Sequence, residues 1–140
     1  MEIKIVENEQ QLQDAYSVRY EVFIHEQSVP EELEIDDLEK EAIHFVGYEG
    51  KTPVAASRIR LVDGYGKMER ICIVKPSRGK GYGKELLLFM EQIAQEKGMK
   101  KSKLNAQTQA EAFYRKLGYE TISSEFMDAG IPHVTMTKVL

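Results

Sequence analysis

A glycine-rich turn between Arg78 and Lys84 constrains this chain more than any other part of its sequence. Three glycines alternate there with basic or aromatic residues, an apolar run over residues 71–74 comes before them, and an amphipathic helical pattern follows. A turn between a strand and a helix directs backbone N–H groups and the positive end of the helix towards one point. Glycine also lets the backbone approach a ligand without a Cβ atom in the way. The sequence therefore predicts an anion-binding turn, and a phosphate group is the simplest ligand.

The turn matches neither of two common nucleotide-binding patterns. A Walker loop requires glycine, four residues, glycine, lysine and then serine or threonine. Here Glu85 follows Lys84, and Arg78 stands where the first glycine is required. A dinucleotide-binding loop requires Gly-x-Gly-x-x-Gly, and its third glycine would fall on Lys84 or Leu86. Both kinds of nucleotide site are therefore excluded.

The turn does fit a different pattern, Arg/Gln-x-x-Gly-x-Gly, through Arg78, Gly81 and Gly83. A second segment, residues 110–119, reads Ala-Glu-Ala-Phe-Tyr-Arg-Lys-Leu-Gly-Tyr. In both segments the chain resembles the GNAT superfamily of acetyl-CoA-dependent N-acetyltransferases. The predicted strand over residues 69–74, the proline after it and the order of the elements agree as well. The resemblance therefore extends over nearly the whole chain.

Hydrophobic periodicity predicts the element order β-α-β-β-β-α-β-α-β-β. Gly50 and Gly64 lie between alternating runs, as in hairpin turns. We therefore expect an α+β fold with a mixed, mostly antiparallel sheet flanked by helices, which the resemblance to GNAT proteins also implies. The predicted elements are strands near residues 3–5, 44–48, 53–62, 67–74, 102–106, 121–126 and 133–139, and helices near 9–23, 85–97 and 109–117.

Composition limits the class of protein. The 140 residues are 42% hydrophobic and 30% charged, which is typical of one globular domain, here residues 1–140. A net charge of −4 argues against general nucleic-acid binding. The single cysteine, Cys72, excludes an internal disulfide and argues against a cysteine-based metal site. No apolar run approaches the length of a membrane span. We therefore expect a cytoplasmic protein without a metal, a membrane or a nucleic-acid partner.

The charges are unevenly distributed along the chain. Residues 67–103 contain ten basic and four acidic residues, whereas residues 26–41 contain eight acidic residues and one basic residue, Lys40. The basic segment suggests an anionic ligand. The acidic segment suggests a cationic acceptor such as a polyamine, an aminoglycoside or a lysine-bearing peptide. Two solvated faces would give the same counts, so both interpretations stay open at this point.

The resemblance implies which residues bind acetyl-CoA, the expected co-substrate. In GNAT proteins the pantetheine arm lies in a gap beside the strand that precedes the glycine-rich turn, like an added strand. The amides of the turn bind the pyrophosphate. Carried over to this chain, the expected coenzyme-binding residues are Cys72, Ile73, Val74, Arg78, Gly79, Lys80, Gly81, Tyr82, Gly83, Lys84, Gln107 and Tyr114.

For three of these residues we have more specific expectations. In the family, a tyrosine at the position of Tyr114 reaches the coenzyme sulfur and protonates the departing thiolate, so we expect Tyr114 to be catalytic. Many relatives carry asparagine seven residues earlier, where this chain has Gln107, whose amide can make the same contacts from a longer side chain. We expect Cys72 to be a buried apolar residue and not a nucleophile, because the sequence suggests no histidine to activate it.

The sequence leaves several candidates for the general base. The attacking amine must be neutral, and an alkylammonium with a pKa of about 10.4 is mostly protonated at neutral pH. Glu69 lies near the position where some relatives carry a catalytic glutamate, so we name it as the second catalytic residue. An ion pair with Lys67 or Arg70 would explain this glutamate equally well. His44, His133 and water are the other candidates.

The predicted function is transfer of an acetyl group from acetyl-CoA to a primary amine, on a small molecule or a peptide, by direct attack in a ternary complex. Two alternatives remain. The chain could be a sensor that binds acetyl-CoA without turnover, or an acyltransferase that uses another acyl-CoA. Homodimers are common among relatives, so a homodimer is the expected assembly if the protein is not a monomer.

Overall fold

Eight strands form one continuous sheet in the computed structural model, which describes all 140 residues. The strands are β1 (Glu2–Ile5), β2 (Ile43–Glu49), β3 (Thr52–Val62), β4 (Tyr65–Ile73), β5 (Lys101–Gln107), β6 (Glu120–Thr121), β7 (Phe126–Asp128) and β8 (Ile131–Val139). Their spatial order is β1-β2-β3-β4-β5-β8-β6, and β7 also pairs with β8. Every pair is antiparallel except β4 and β5. The predicted mixed, mostly antiparallel sheet is therefore confirmed.

Four α-helices accompany the sheet: α1 (Glu9–Arg19), α2 (Glu31–Glu34), α3 (Tyr82–Glu96) and α4 (Glu111–Lys116). Asn8 caps the start of α1, because its side-chain oxygen accepts a hydrogen bond from the backbone N–H of Gln11 at 2.8 Å. No helix in the structure is long and apolar enough to cross a membrane.

The two long helices cover opposite faces of the sheet. α3 packs against β3 and β4, and Gly66 of β4 faces Ala94 of α3. α1 packs against β2, β3 and β4 on the side where Arg58 points. Side chains alternate between the two faces along each strand, so Met68 joins the apolar layer under α3 while Glu69 points to the other face. The core beneath α3 includes Leu86, Leu87, Met90 and Ala94, as the helical spacing predicts.

Two predicted elements differ from the structure. The first helix is expected to continue to Phe23, but α1 ends at Arg19 and the chain continues as a π-helical segment over Tyr20–Glu26. Wider backbone turns such as this are frequent at functional sites. The strand expected over 121–126 is divided into β6 and β7, because the residues between them leave the sheet. Ala129 and Gly130 then form the tight turn into β8, both with positive φ angles.

Candidate active site

The site begins where the parallel strands β4 and β5 separate. Their pairing ends at Met68 and Leu104, although β4 continues to Ile73 and β5 continues to Gln107. Both strands stay paired on their other sides, β4 with β3 and β5 with β8. The ends of β4 and β5 therefore face each other across a gap without a strand between them.

A β-bulge in β4 accompanies the separation. Ala56 pairs with Cys72 and Arg58 pairs with Glu69, so one residue of β3 faces two residues of β4. Within the bulge, Arg70 has a φ angle of +59°, in the left-handed region that a side chain rarely adopts. A bulge bends a strand and increases its twist, which turns the end of β4 away from β5.

The gap opens into a cavity of about 830 Å³. It is lined on one side by β4 and its bulge and on the other by the end of β5, α4 and the turn before β8. Eight residues named from the sequence line this one cavity: Glu69, Cys72, Ile73, Arg78, Gly83, Gln107, Tyr114 and His133. The structure thus brings together residues from four separate stretches of the chain.

The glycine-rich turn lies beyond the end of β4. Gly79 and Gly81 both have φ angles of +82°, and no atom lies within 4 Å of the position that a Cβ atom would occupy at either residue. The first backbone hydrogen bond of α3 runs from the N–H of Glu85 to the carbonyl of Gly81 at 3.1 Å. The N–H groups of residues 82–84 have no backbone acceptor and remain available to an anion. The geometry therefore fits a phosphate group, as the glycine pattern predicts.

The side chain of Arg78 is held at the mouth of the gap. Its two terminal nitrogens each donate a hydrogen bond of 2.7 Å to the carboxylate of Glu26, and its Nε donates one of 2.9 Å to the carbonyl of Ile73. The hydrogen bonds from Arg78 lower the pKa of Glu26 below its ordinary value. Sequence reasoning missed Glu26, because 52 residues separate it from Arg78 and its own segment carries no motif.

The next basic residue of the turn points elsewhere. Lys80 donates a hydrogen bond of 2.9 Å to Glu49, which also accepts hydrogen bonds from Ser77 and from the hydroxyl of Tyr82. The bonds from Ser77, Lys80 and Tyr82 together lower the pKa of Glu49 to about 2. Of the residues expected to bind coenzyme, those that do not line the cavity are Val74, Gly79, Lys80, Gly81, Tyr82 and Lys84. All of them lie just after β4, in the turn beyond it or in the first turn of α3.

Tyr114 lies beside Cys72 in the cavity wall. It belongs to α4, where its ring packs edge-on against Phe113 and Tyr119 at centroid distances of 5.1 and 6.0 Å. Burial raises the pKa of Tyr114 to about 12, so its hydroxyl keeps its proton at neutral pH. The Cys72 thiol is buried and its Sγ contacts the carbonyl of Ala56 at 3.7 Å, and burial raises its pKa. A thiol in this environment stays protonated and is a poor nucleophile.

Gln107 ends β5 at the wall of the gap opposite β4. Its Nε2 donates a hydrogen bond of 2.9 Å to the amide oxygen of Gln27, just after the π-helical segment. Its own amide oxygen accepts a hydrogen bond from Gln109. Gln27 and Gln109 also line the cavity. The amide of Gln107 is therefore positioned by two neighbouring amides.

Glu69 points into a group of cations on the sheet. Its Oε1 lies 3.0 Å from Nε of Arg58 and 2.9 Å from Nε of Arg60, and its Oε2 lies 3.5 Å from Nζ of Lys67. Although burial alone would raise the pKa of Glu69, the hydrogen bond from Arg60 and the charge of Arg58 lower it below its ordinary value. Of the two expected ion-pair partners, Lys67 is near Glu69, whereas Arg70 instead pairs with Glu34 and Asp36.

The two candidate histidines occupy different parts of the molecule. His133 lines the cavity, its Nδ1 lies 2.6 Å from the carbonyl oxygen of Ile131, and its ring stacks on Phe126. His44 is buried outside this cavity, with its Nε2 at 2.8 Å from the carbonyl oxygen of Glu39, and burial lowers its pKa. His44 is thus not among the groups that the structure brings to the gap.

The acidic segment is only partly solvated. Its carboxylates Glu34, Asp36 and Glu39 are paired with arginines, two of which, Arg19 and Arg58, have side chains no more than 1% exposed, whereas Glu31, Glu32 and Asp37 are exposed and have no arginine partner. The ion pairs join Glu34 and Glu39 to Arg19, Asp36 and Glu39 to Arg58, and Glu34 and Asp36 to Arg70. These contacts fix the segment against the sheet beside the cavity. A site for a cationic acceptor in this segment would therefore depend on the exposed acids Glu31, Glu32 and Asp37.

Comparison with known proteins gives consistent results. The family model for the acetyltransferase (GNAT) domain matches residues 4–140. The chain is 52% identical over 139 residues to the uncharacterized N-acetyltransferase YjcF of Bacillus subtilis, covering 99% of each chain. A crystal structure of a candidate N-acetyltransferase from Lactobacillus plantarum superposes with a TM-score of 0.92 at 26% identity, over 99% of this chain and 97% of that one.

A third comparison concerns the fold alone. A Bacillus subtilis acetyltransferase solved in complex with CoA superposes with a TM-score of 0.73 at 14% identity. The superposition covers 99% of this chain and 97% of that one.

Proposed function

The chain belongs to the GNAT acetyltransferase family, and from that premise we propose that it transfers an acetyl group from acetyl-CoA to a primary amine by direct attack in a ternary complex. The observation that carries the proposal is the gap between β4 and β5, which leads from the glycine-rich turn to Tyr114. The CoA complex of the structurally similar Bacillus subtilis acetyltransferase supports this use of the fold.

The coenzyme would bind to backbone groups that have no partner within the protein. An extended ligand that carries amides can pair with a strand edge, so the backbone of residues 72–74 would bind the pantetheine arm. The free N–H groups at the start of α3, together with Gly79 and Gly81, would hold the pyrophosphate. Arg78, Lys80 and Lys84 would supply positive charge there, and Gln107 would bind from the opposite wall.

The transfer step requires one new bond and one broken bond. The amine nitrogen attacks the thioester carbonyl carbon, the C–N bond forms, the C–S bond breaks, and the proton lost by nitrogen ends on sulfur. A phenol with a pKa of about 12 is a weaker acid than a thiol with a pKa of about 8.5. We therefore assign Tyr114 the role of stabilising the departing thiolate by donating a hydrogen bond.

Removal of the amine proton is assigned to Glu69, directly or through water. Its ion pairs with Arg58 and Arg60 keep it charged and lower its basicity, so it would act best on an ammonium held beside it. His133 is the competing residue, since it also lines the cavity. Profiles of kcat/KM against pH for Glu69→Gln and His133→Ala test the assignment, because only loss of the true base moves the acidic limb.

Titration calorimetry with acetyl-CoA, followed by a thiol-release assay on a panel of amines, tests the proposed function. Gly81→Ala should weaken acetyl-CoA binding, since a side chain at a φ of +82° strains the turn. Gly50→Ala is the matched control, with a φ of +60°, open space around its Cβ and a place in a different turn. Binding without turnover on any amine would favour the sensor, and absence of binding would contradict both functions.

A further inference from the structure

Three basic side chains form one line across the sheet. Arg60 of β3 is the direct cross-strand partner of Lys67 of β4, and Lys67 is the partner of Lys103 of β5. We call these three residues the basic row. Cross-strand partners point to the same face, so all three lie on the face that carries Glu69. Lys101 is two residues from Lys103 along β5 and shares that face.

The basic row is only partly neutralised within the protein, because Lys103 has no carboxylate partner. Like charges directly opposite each other on neighbouring strands destabilise a sheet. Glu69 and Glu41 approach Arg60, and Glu69 also approaches Lys67 at 3.5 Å, but no carboxylate lies within 4 Å of Lys103. The ammonium groups of Lys101 and Lys103 instead lie 5.7 and 5.5 Å from the centre of the Tyr65 ring.

The nearest acid further along the row is also too far to neutralise it. Beyond Lys103 the row continues through Thr137 to Glu120. Glu120 is two strands from Lys103, a spacing of about 10 Å. The charge of Lys103 is thus not balanced by any carboxylate within reach in the structure.

The basic row borders the acceptor end of the cavity. Arg60 and Lys67 both line the cavity, and the side chain of Lys67 is 28% exposed. Lys67 is six residues before Ile73, which corresponds to about 20 Å along a strand. The glycine-rich turn begins beyond Ile73, so the phosphates bound there would be remote from the row. An anion on the row would therefore belong to a second ligand.

We propose that the basic row binds an anionic group of the acceptor, so that the acceptor is an amine on an acidic molecule that carries carboxylate or phosphate groups. The inference rests on the proposed function for the identity of the reaction, but the anion-binding row can be tested without turnover. A polyamine would be repelled by Lys67 and Lys103. The three carboxylates of the acidic segment that line the cavity, Glu26, Glu34 and Asp36, are already paired with arginines.

Fluorescence anisotropy with labelled nine-residue peptides tests the basic row. Each peptide has one central lysine, flanked by glutamate, phosphoserine, glutamine or arginine, and each is titrated at low and high salt with and without coenzyme A. We expect at least one of the two anionic peptides to bind at least tenfold more tightly than the glutamine peptide. The tighter of the two identifies carboxylate or phosphate as the anion. High salt should weaken this binding, because the attraction is electrostatic.

Charge reversal on the row supplies the matched variants. Lys103→Glu should reduce binding of the anionic peptide about tenfold or more, whereas Lys97→Glu, the same change on an exposed residue at the end of α3, should leave it unchanged. Lys103→Glu should not lower the melting temperature, because it removes a like-charge contact with Lys67. Lys101→Glu, whose cross-strand partner is Tyr65, provides a second variant if Lys103→Glu fails to fold.

Several results would overturn the inference. They are equal affinity for all four peptides, preference for the arginine peptide, no measurable binding of either anionic peptide, or equal effects of Lys103→Glu and Lys97→Glu. Calorimetry with acetyl-CoA on the same samples separates this failure from failure of the proposed function. If the protein binds acetyl-CoA but does not bind the anionic peptides, the proposed function stands and the proposed role of the basic row is wrong.

Discussion

The guanidinium of Arg78 already has hydrogen-bond partners within the protein. In the structure its guanidinium donates to Glu26 and to the carbonyl of Ile73, one of the strand residues proposed to bind pantetheine. A phosphate group that binds Arg78 would compete with the Glu26 carboxylate for the same N–H groups. We therefore expect coenzyme to displace Glu26 from Arg78 when it binds.

Glu26→Gln should tighten coenzyme A binding. The pair is more than one-third exposed on both sides, and such pairs contribute about 0.2–1 kcal/mol, so the gain should be up to about fivefold. Titration calorimetry measures it. Glu21→Gln, an exposed carboxylate on the same π-helical segment, is the control and should change little. Weaker binding by Glu26→Gln would mean that Glu26 supports the coenzyme site and does not compete with it.

Tyr114→Phe tests the proposed catalytic hydroxyl. Loss of the hydrogen bond to the departing thiolate should lower kcat about tenfold or more, while the dissociation constant for acetyl-CoA stays within about twofold. Single-turnover kinetics and calorimetry give the two values. Tyr48→Phe removes a hydroxyl that donates to Asp14 and does not line the cavity, so it controls for the substitution. Equal kcat values for Tyr114→Phe and the native enzyme would remove Tyr114 from the mechanism.

At the level of elements, β4 has two different roles along its length. Its first half pairs with both β3 and β5 and packs under α3, whereas its second half, after Met68, loses β5 and carries the bulge. The first half thus anchors β4 in the sheet, and the second half has a free edge that faces the gap. Gly66 sits at the tightest contact of the anchored half, where an added Cβ atom would lie 2.9 Å from Cβ of Ala94.

Gly66→Ala should destabilise the protein by about 1–3 kcal/mol, since the contact between α3 and β4 has no space for a methyl group. Urea denaturation at neutral pH measures the free energy of unfolding. The double variant Gly66→Ala/Ala94→Gly has a methyl group at residue 66 but none at residue 94, so the two no longer collide. It should therefore be more stable than the sum of the two single effects predicts. Additive effects would show that the strand shifts to accommodate the methyl group.

Across the whole molecule, ion pairs hold the acidic segment against the sheet. Asp36 and Glu39 of this segment and Glu69 of β4 have pKa values below their ordinary values, whereas burial raises the pKa of Glu34. Hydrogen bonds from Arg58 lower the pKa of Asp36 to about 2, those from Arg19 lower that of Glu39 despite its burial, and Arg60 and Arg58 lower that of Glu69. A folded-state pKa below the unfolded value stabilises the fold above the unfolded pKa. This stabilisation is lost as the pH falls through the folded pKa.

The depressed carboxylate pKa values should accordingly make the free energy of unfolding fall between about pH 5 and pH 2, by about 1.4 kcal/mol for each unit of pKa depression. Denaturation at a series of pH values measures this. Asp36→Asn should flatten part of the decrease, because the neutral amide no longer titrates. Glu32→Gln, an exposed residue of α2 outside the ion pairs, should not. An unchanged acid limb in Asp36→Asn would contradict the role of this carboxylate.

The sequence by itself determined the features that depend on neighbouring residues. Asn8 caps the start of α1, the spacing of Leu86, Met90 and Ala94 forms the buried side of α3, and Gly79 and Gly81 of the turn adopt positive φ angles. Each of these follows from backbone geometry or from the period of a helix, which act over a few residues. The family resemblance added the position of Tyr114, which periodicity alone assigns only to a helix.

Only the tertiary structure decided which charged side chains pair with each other and where β4 and β5 separate. The ends of β4 and β5 separate after Met68 because of a bulge that no short pattern in the sequence marks. Glu26 contacts Arg78 across 52 residues of sequence, and Glu34, Asp36 and Glu39 of the acidic segment pair with Arg19 and Arg58. Such contacts depend on which strands and helices become neighbours, and composition and local spacing contain no information about that.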